Sequence, residues 1–545
     1  MPPSVKNPLL ASLLVVLAVV LLLLAAGERV RSLLGVSLQL SLGSAAIATS
    51  LGAVLAVIIA KTDLPGRRLL GLLIGGLLLM PLYLHAAAWQ AGFGALGWAT
   101  QATAGTGPIE PLLDGFAGAV WAHAMAAVPW TTLIIAATLL GVSREHEESA
   151  MLETNPASVL RQVTLRRSAA GVAVAALWVG VGCAAEMTVT DLFNVRTFAE
   201  ETYTQASLGL FNPRTTTDPM LPLGGIGLFC GCGLLVLVAT LVMVIGARLL
   251  REPNDQESSG QWRWRLGSQR MLVAPLAIGL LVLVAGLPLA NLAYQAGIQV
   301  DAAPEGWRRS WSAAKLASMV ATAPWEHRRE LSISLQLGAV VATTATLIGS
   351  TAAWWLSCFR AGRTLAIALL AAGLIVPGPL MGVVTIRMLN QPPDSLLAGL
   401  TWLYDDTLFA PWLVQTLRTV PLTTLLLWSA FASIPREILD TAASEGAKGW
   451  AIWLRVALPM RWPPLLAAWI IGLATSIGEL GATVLVLPPG PQTVTVRIFS
   501  LLHYGVEDRV ASLCLVMVAG YLLAGLVAAW LLTGGRSPRR FFAIE

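Results

Sequence analysis

The sequence predicts an all-α polytopic membrane protein of about twelve transmembrane helices, arranged as two parallel-repeat halves of six. Three observations carry that prediction: the composition, the number of long apolar runs, and an internal repeat of about 295 residues. Of 545 residues, 56% are hydrophobic and only 12% charged, at a mean hydropathy of +0.72. A soluble chain carries about 25% charged residues. A net charge of +5 raises the question of nucleic acid, but in a membrane protein an excess of Lys and Arg marks cytoplasmic loops, so no nucleic-acid partner is expected. Membrane lipid is the partner that the composition requires.

Runs able to cross a hydrocarbon core of about 30 Å fall at 8–27, 35–60, 69–90, 115–140, 168–190, 223–248, 271–292, 331–358, 364–389, 408–432, 463–487 and 511–533. The first follows Lys6, and its apolar stretch from Leu9 to Ala26 is longer than the apolar region of a secretory signal, so it reads as an uncleaved span. Placing the N-terminus inside puts Lys61, Arg67, Arg68, Arg161, Arg166, Arg167, Arg263, Arg265, Arg270, Arg455 and Arg461 on the cytoplasmic side, with both termini. The long segment from Asn291 to Glu330 then faces outward. Cys183, Cys230, Cys232, Cys358 and Cys514 lie in or beside apolar runs and read as small core residues, not as a disulfide or metal framework.

The repeat is seen first at the second and eighth spans. Ser37, Leu38, Leu40, Leu42 and Gly43 answer to Ser332, Ile333, Leu335, Leu337 and Gly338. Each of these spans ends in a short basic loop, Lys61 to Arg68 or Arg360 to Arg363, and the next span carries a proline, Pro81 or Pro377. The chain therefore divides into residues 1–260, with a core at about 33–248, and 261–545, with a core at about 331–533.

Between the tenth and eleventh spans runs Asp440-Thr441-Ala442-Ala443-Ser444-Glu445-Gly446, continuing to Val456-Ala457-Leu458-Pro459. An acidic residue near a helix start favours the dipole, glycine permits a sharp turn, and Pro459 suits entry to the next helix. The first half has a looser copy, Glu148-Ser149-Ala150-Met151-Leu152-Glu153-Thr154, leading to Val163-Thr164-Leu165-Arg166, with Thr154 where glycine is expected and the interval one residue short. These two segments resemble the EAA loops of ABC importer permeases of the MetI-like, type I class. The resemblance implies that each helix pair docks into a groove of an ATP-binding cassette subunit on the cytoplasmic side. It also implies two such subunits, an extracytoplasmic or periplasmic substrate-binding protein, and a bacterial inner membrane.

Glu186 lies 21 residues after Leu165, and Glu479 lies 21 residues after Leu458. An ionised group at bilayer depth costs about 2.5–3.5 kcal/mol on insertion scales. The pair is therefore expected either to line the translocation pathway or its gate, or to cap a broken helix. The segment that follows, with Glu479, Ala482-Thr483, Pro488-Pro489-Gly490 and Arg497-Ile498, resembles fused ferric-iron permeases. That resemblance adds Thr483 and Arg497 to the expected pathway and makes ferric iron the expected substrate. Its first-half counterpart, from Glu186 through Asp191, Arg196 and Glu200 to Tyr203, departs from the pattern, and fused permeases for thiamine share the layout. Thiamine, a polyamine or another small solute remains the alternative.

The chain contains no Gly-x-x-x-x-Gly-Lys-Ser/Thr loop, so ATP and Mg are expected to be used by partner subunits, with no cofactor, metal or catalytic residue in this chain. His85, His123, His146, His327 and His503 show no ligand spacing and read as neutral buried or interfacial imidazoles. A secondary transporter, which would use buried charges as an ion relay and need no ATPase, is the alternative outside the class, and the paired loops argue against it. A membrane-embedded enzyme would show an acidic metal motif, and none is present.

Overall fold

A computed structural model describes residues 21–22, 24–25, 27–103, 110–142, 144–209, 230–238, 240–241, 262–303, 306–359, 362–392 and 394–532. Among these residues five helices are long and apolar enough to cross a membrane, and five further spans arise if each bent helix pair counts as one. Those ten match the second to fifth and seventh to twelfth predicted spans. The first span and most of the sixth lie outside the described residues, as do most of the inter-half linker and both termini.

The first half comprises α1 (Gly27–Lys61), α2 (Arg67–Gly76), α3 (Leu82–Phe93), α4 (Gly115–Leu140), α5 (Arg144–Met151), α6 (Pro156–Val159), α7 (Ala169–Ala185), α8 (Thr188–Leu192) and α9 (Phe198–Ser207). The second begins with α10 (Arg270–Leu281) and α11 (Leu287–Gly297), then a hairpin of β1 (Ile298–Ala303) and β2 (Gly306–Trp311) and the helix α12 (Ala313–Glu326). It continues through α13 (Arg328–Cys358), α14 (Arg363–Ile375), α15 (Gly378–Leu389), α16 (Phe409–Ala432), α17 (Arg436–Ser444), α18 (Gly449–Ile452), α19 (Trp462–Gly478), α20 (Thr483–Val486), α21 (Val494–Leu502) and α22 (Asp508–Leu532).

In each half three helices form the central bundle: α1, α4 and α7 in the first, and α13, α16 and α19 in the second. The contacts repeat atom for atom. The Thr131 hydroxyl donates to the Ala48 carbonyl (2.8 Å), and the Thr423 hydroxyl to that of Ala345 (3.0 Å). Gly52 and Gly349 make these crossings possible, because a Cβ on either would collide with the same threonine. Ser37 Oγ accepts from the Phe198 amide (3.1 Å), as Ser334 Oγ accepts from that of Val494 (2.8 Å), so Ser37 answers to Ser334, two residues beyond the Ser332 that the sequence pairing expects.

The halves interlock. α22 packs on α2 and α3 of the first half, and α11 packs on α3, so the largest core cluster joins Tyr83, Ala88 and Met125 to Leu292, Val510, Cys514 and Tyr521. After the linker, Trp264 bridges the loop behind α1: the Asp63 amide donates to the Trp264 carbonyl (3.1 Å), and the Trp264 amide to that of Lys61 (2.8 Å). The Leu266 amide (3.0 Å) and the Arg270 guanidinium both donate to the Asp63 carboxylate. Burial opposes its ionisation, yet those donors hold the Asp63 carboxyl below its usual range.

Five predicted elements need correction. The third and ninth spans are not single rods: they break at Pro81 and Pro377 with bends of 104° and 101°. Proline drives the preceding residue out of helical geometry, and Met80 and Val376 accordingly have ψ of 119° and 124°. The fifth and eleventh end early, at Ala185 and Gly478, where Glu186 and Glu479 turn extended. The segment from Asn291 to Glu330 is the end of α11, the hairpin and α12, rather than a loop.

Candidate functional site

Each predicted docking loop is a helix pair at the same end of its bundle. In the second half α17 is followed by Gly446 at φ +85°, with the Ala447 amide donating to the Ala442 carbonyl (3.1 Å) and the Gly446 amide to that of Ala443 (3.0 Å). This left-handed cap lets the chain reverse into α18. In the first half Thr154 takes no left-handed conformation, and the loop is one residue shorter; Asn155 instead starts α6 by accepting from the Ser158 amide (2.9 Å). Both copies then widen into a π-helical turn, Leu160–Thr164 and Trp453–Ala457, before a short helical turn that begins at Leu165 or at Leu458 and Pro459. Such turns recur at functional sites.

Glu148 and Asp440 hold the same place, the fifth residue of α5 and of α17, and both are exposed, as are Ser149 and Thr441. Glu148 pairs with Arg144 (2.6 Å). Ala150, Ala442, Leu165, Val456 and Leu458 are half-buried. Bare apolar side chains stand beside them: Leu152 is 89% exposed, Trp450 66% and Leu454 49%. Exposed apolar residues grouped in this way are a general mark of protein or membrane interaction surfaces.

The sequence reading missed what fastens the first loop. Glu147, the fourth residue of α5, is fully buried; it accepts from Lys61 Nζ (2.8 Å) and from the Thr164 hydroxyl (2.8 Å). Lys61 ends α1 and Thr164 ends the π-helical turn, so one carboxylate ties the loop's two arms to the bundle. In the second half the corresponding positions hold Cys358, which is exposed, and Leu439 and Ala457, which pack in an apolar cluster with Trp453 and Phe431 where the first half has its polar triad.

At the far end of α7 and α19 the two glutamates act alike. Glu186 accepts from the amides of Thr188 (2.6 Å) and Val189 (2.9 Å), and Glu479 from those of Ala482 and Thr483 (3.0 Å each). The Thr483 hydroxyl also donates to Glu479 and accepts from Gln415 Nε2 (3.0 Å). Each carboxylate therefore starts the short helix that follows, α8 or α20, and negative charge there complements the dipole. Their nitrogen-bearing neighbours differ: His123 Nε2 lies 3.4 Å from Glu186, and Arg418 Nε 3.5 Å from Glu479. Neither neighbour carries a local sequence signal, since both come from the preceding bundle helix.

Beyond the caps the halves meet. Met187, Leu192, Ala199 and Tyr203 of the first half pack on Leu480, Val484, Leu487, Val496 and Phe499 of the second, with the Tyr203 and Phe499 rings edge to face at 6.3 Å. Arg497 sits on α21, its Nε buried without a hydrogen-bond partner among the described residues. Glu200 on α9 is buried, and burial raises its carboxyl. His503 pairs with Asp191 at 3.0 Å, and that bond raises its imidazole above the ordinary value.

No family model matches the chain. Curated relatives do. The putrescine transport system permease protein PotI of Escherichia coli (strain K12) is 23% identical over 212 residues, which is 38% of this chain and 74% of that protein. The putative molybdenum transport system permease protein YvgM of Bacillus subtilis (strain 168) is 25% identical over 183 residues, 32% of this chain and 79% of that protein. The putative 2-aminoethylphosphonate transport system permease protein PhnV of Salmonella choleraesuis (strain SC-B67) is 38% identical over 107 residues, 19% of this chain and 40% of that protein. By these relatives, and by its many apolar helices and paired loops, this multi-pass membrane chain is a homologue of the inner-membrane permeases of binding-protein-dependent ABC transporters.

Proposed function

We propose that this chain forms the translocation pathway of an ATP-driven importer for a small solute, with residues 1–260 and 261–545 supplying the two halves. The observation that carries this reading is the pair of helix-turn-helix loops at repeat positions, each with bare apolar side chains, since a single such loop would be an ordinary interfacial helix. In this reading one ATP-binding cassette subunit docks on α5 and α6 and another on α17 and α18, using ATP and Mg. A substrate-binding protein delivers solute at the opposite end, and both termini lie with the loops on the cytoplasmic side.

The ferric-iron assignment is narrower than its support. The relatives are named for putrescine, molybdenum and 2-aminoethylphosphonate, and another small solute fits that range better. Glu186, Glu479, Thr483 and Arg497 serve this function as gate elements: the glutamates set the position of α8 and α20, and Arg497 lies on a helix that helps close the junction.

The test is uptake by proteoliposomes holding the chain with its co-purifying ATPase and binding protein, scored against each candidate solute. Uptake that requires ATP and both partners is expected. Concentrative uptake by the chain alone, driven by an ion gradient, would establish a secondary transporter instead.

A further inference from the structure

The contact between Asp191 and His503 joins residues 312 positions apart, one from each half, at the end of the molecule away from the docking loops. His503 closes α21 and points both ring nitrogens at acceptors: Nδ1 at the Phe499 carbonyl (2.9 Å) and Nε2 at Asp191 Oδ2 (3.0 Å). A carbonyl and a carboxylate cannot donate, so both bonds form together only when both nitrogens carry a proton, in the imidazolium. A neutral ring satisfies one and sets a lone pair against the other.

We propose that Asp191 and His503 form a proton-loaded latch, which clamps the two halves across their apolar junction while His503 is charged and loosens it when the proton leaves. The latch sits where it can act. Phe499, whose carbonyl takes one bond, is the residue whose ring meets Tyr203 across the junction. His503 is 45% exposed, so its proton exchanges with the solvent on that side.

The charge that acts on the ring is that of Asp191. Glu200 and Tyr203 on α9 lie within electrostatic reach of Asp191, and Arg196 pairs with Glu200 (3.4 Å) and Glu201 (3.7 Å). Where the chain turns into α22, Glu507 follows and Asp508 is taken up by Lys315 (2.6 Å). α13 and α19 meet α21 at its first turns, through Ser334 and Ile477, and α22, which carries Arg509 in its first turn, packs on it as well. The Asp191 bond holds the His503 imidazolium above its ordinary range, against some burial, and the Phe499 bond adds to it. The sign follows: a raised folded-state value means the stabilisation is full below about pH 6.5 and is lost as pH rises through the folded value.

Two measurements on the purified full-length chain test the latch. In a titration of ¹³Cε1-labelled histidine by NMR, His503 is expected to titrate above about 6.5 and to fall toward it in Asp191→Asn. In hydrogen exchange, the segment 494–503 is expected to exchange on the order of threefold slower than in Asp191→Asn at about pH 5.5 and at the same rate at about pH 8. Comparing variants at equal pH cancels the intrinsic dependence of exchange, and His503→Gln is expected to remove the pH dependence without unfolding the chain. A His503 that titrates at or below the ordinary value, or an exchange ratio equal at both pH values, overturns the proposal. The transport consequence rests on the permease reading; the latch does not, since neither measurement involves transport.

Discussion

At the scale of single residues, two positions carry more than their neighbours. Gly446 takes a left-handed conformation that costs an L-residue about 1–2 kcal/mol, so Gly446→Val is expected to distort the reversal between α17 and α18 while sparing the bundle. ATP hydrolysis stimulated by substrate, together with uptake, should drop severalfold at unchanged chain yield; wild-type coupling in the reconstituted variant would contradict it. Glu479→Gln keeps one acceptor oxygen but gives up the charge facing Arg418 and the start of α20, a cap worth about 0.5–2 kcal/mol. Uptake is expected to fall with little effect on assembly, and the double change with Glu186→Gln to depart from additivity, because both carboxylates set helices that meet in one apolar junction. Uptake equal to the parent in the double variant would remove the gate role. The importance of Glu186 and Glu479 was legible in the sequence from their matched offsets. Their partners were not, because His123 and Arg418 reach them from helices whose crossing no local pattern encodes.

Among the elements, the two docking loops show how one backbone plan is met by different chemistry. Removing one member of a buried ion pair leaves an uncompensated charge and costs about 3–5 kcal/mol, so Glu147→Leu or Lys61→Met alone should markedly lower the thermal midpoint. The combined change of Lys61→Met, Glu147→Leu and Thr164→Ala should recover most of the loss, since the second half packs Leu439 and Ala457 in an apolar cluster at two of the same three places and carries no ion pair at the third, Cys358. A triple variant no more stable than the singles would show that the first loop depends on its charges. Sequence alignment found Glu148 because identity fixes the register of the motif. It overlooked Glu147 because one residue turns the side chain by about 100° around a helix, from solvent to core. The same limit explains Pro81 and Pro377: a hydropathy window counts apolar residues and is blind to the direction the chain takes after a proline.

For the whole molecule, topology is the testable quantity. Ala321 on α12 and Ser444 at the end of α17 are both exposed and lie at opposite ends of the bundle. With Cys358 replaced, cysteine at 321 should react with an impermeant reagent added outside intact cells, and cysteine at 444 only after the membrane is opened. The reverse pattern would invert the orientation of both termini. The duplication itself was legible from the sequence in its matched spans and short basic loops, but not its register: the structure sets Ser37 against Ser334 and Gly52 against Gly349, two residues away from the pairing of Ser37 with Ser332. The interlocking of α11 and α22 with the first half was not legible, as it depends on which apolar faces meet, and apolar faces resemble one another.

The linker that ends at Trp264 and Asp63 has a consequence for inheritance. Two halves made as separate chains would have to find each other in the bilayer, and any half able to pair with its own copy would waste material on symmetric dimers. Covalent tethering raises the effective concentration of the correct partner to about the millimolar range. Relieved of the need to recognise one another unaided, the halves are free to drift apart in sequence: one loop could acquire a buried lysine and glutamate, the other cysteine and leucine, without either change creating a mispaired product.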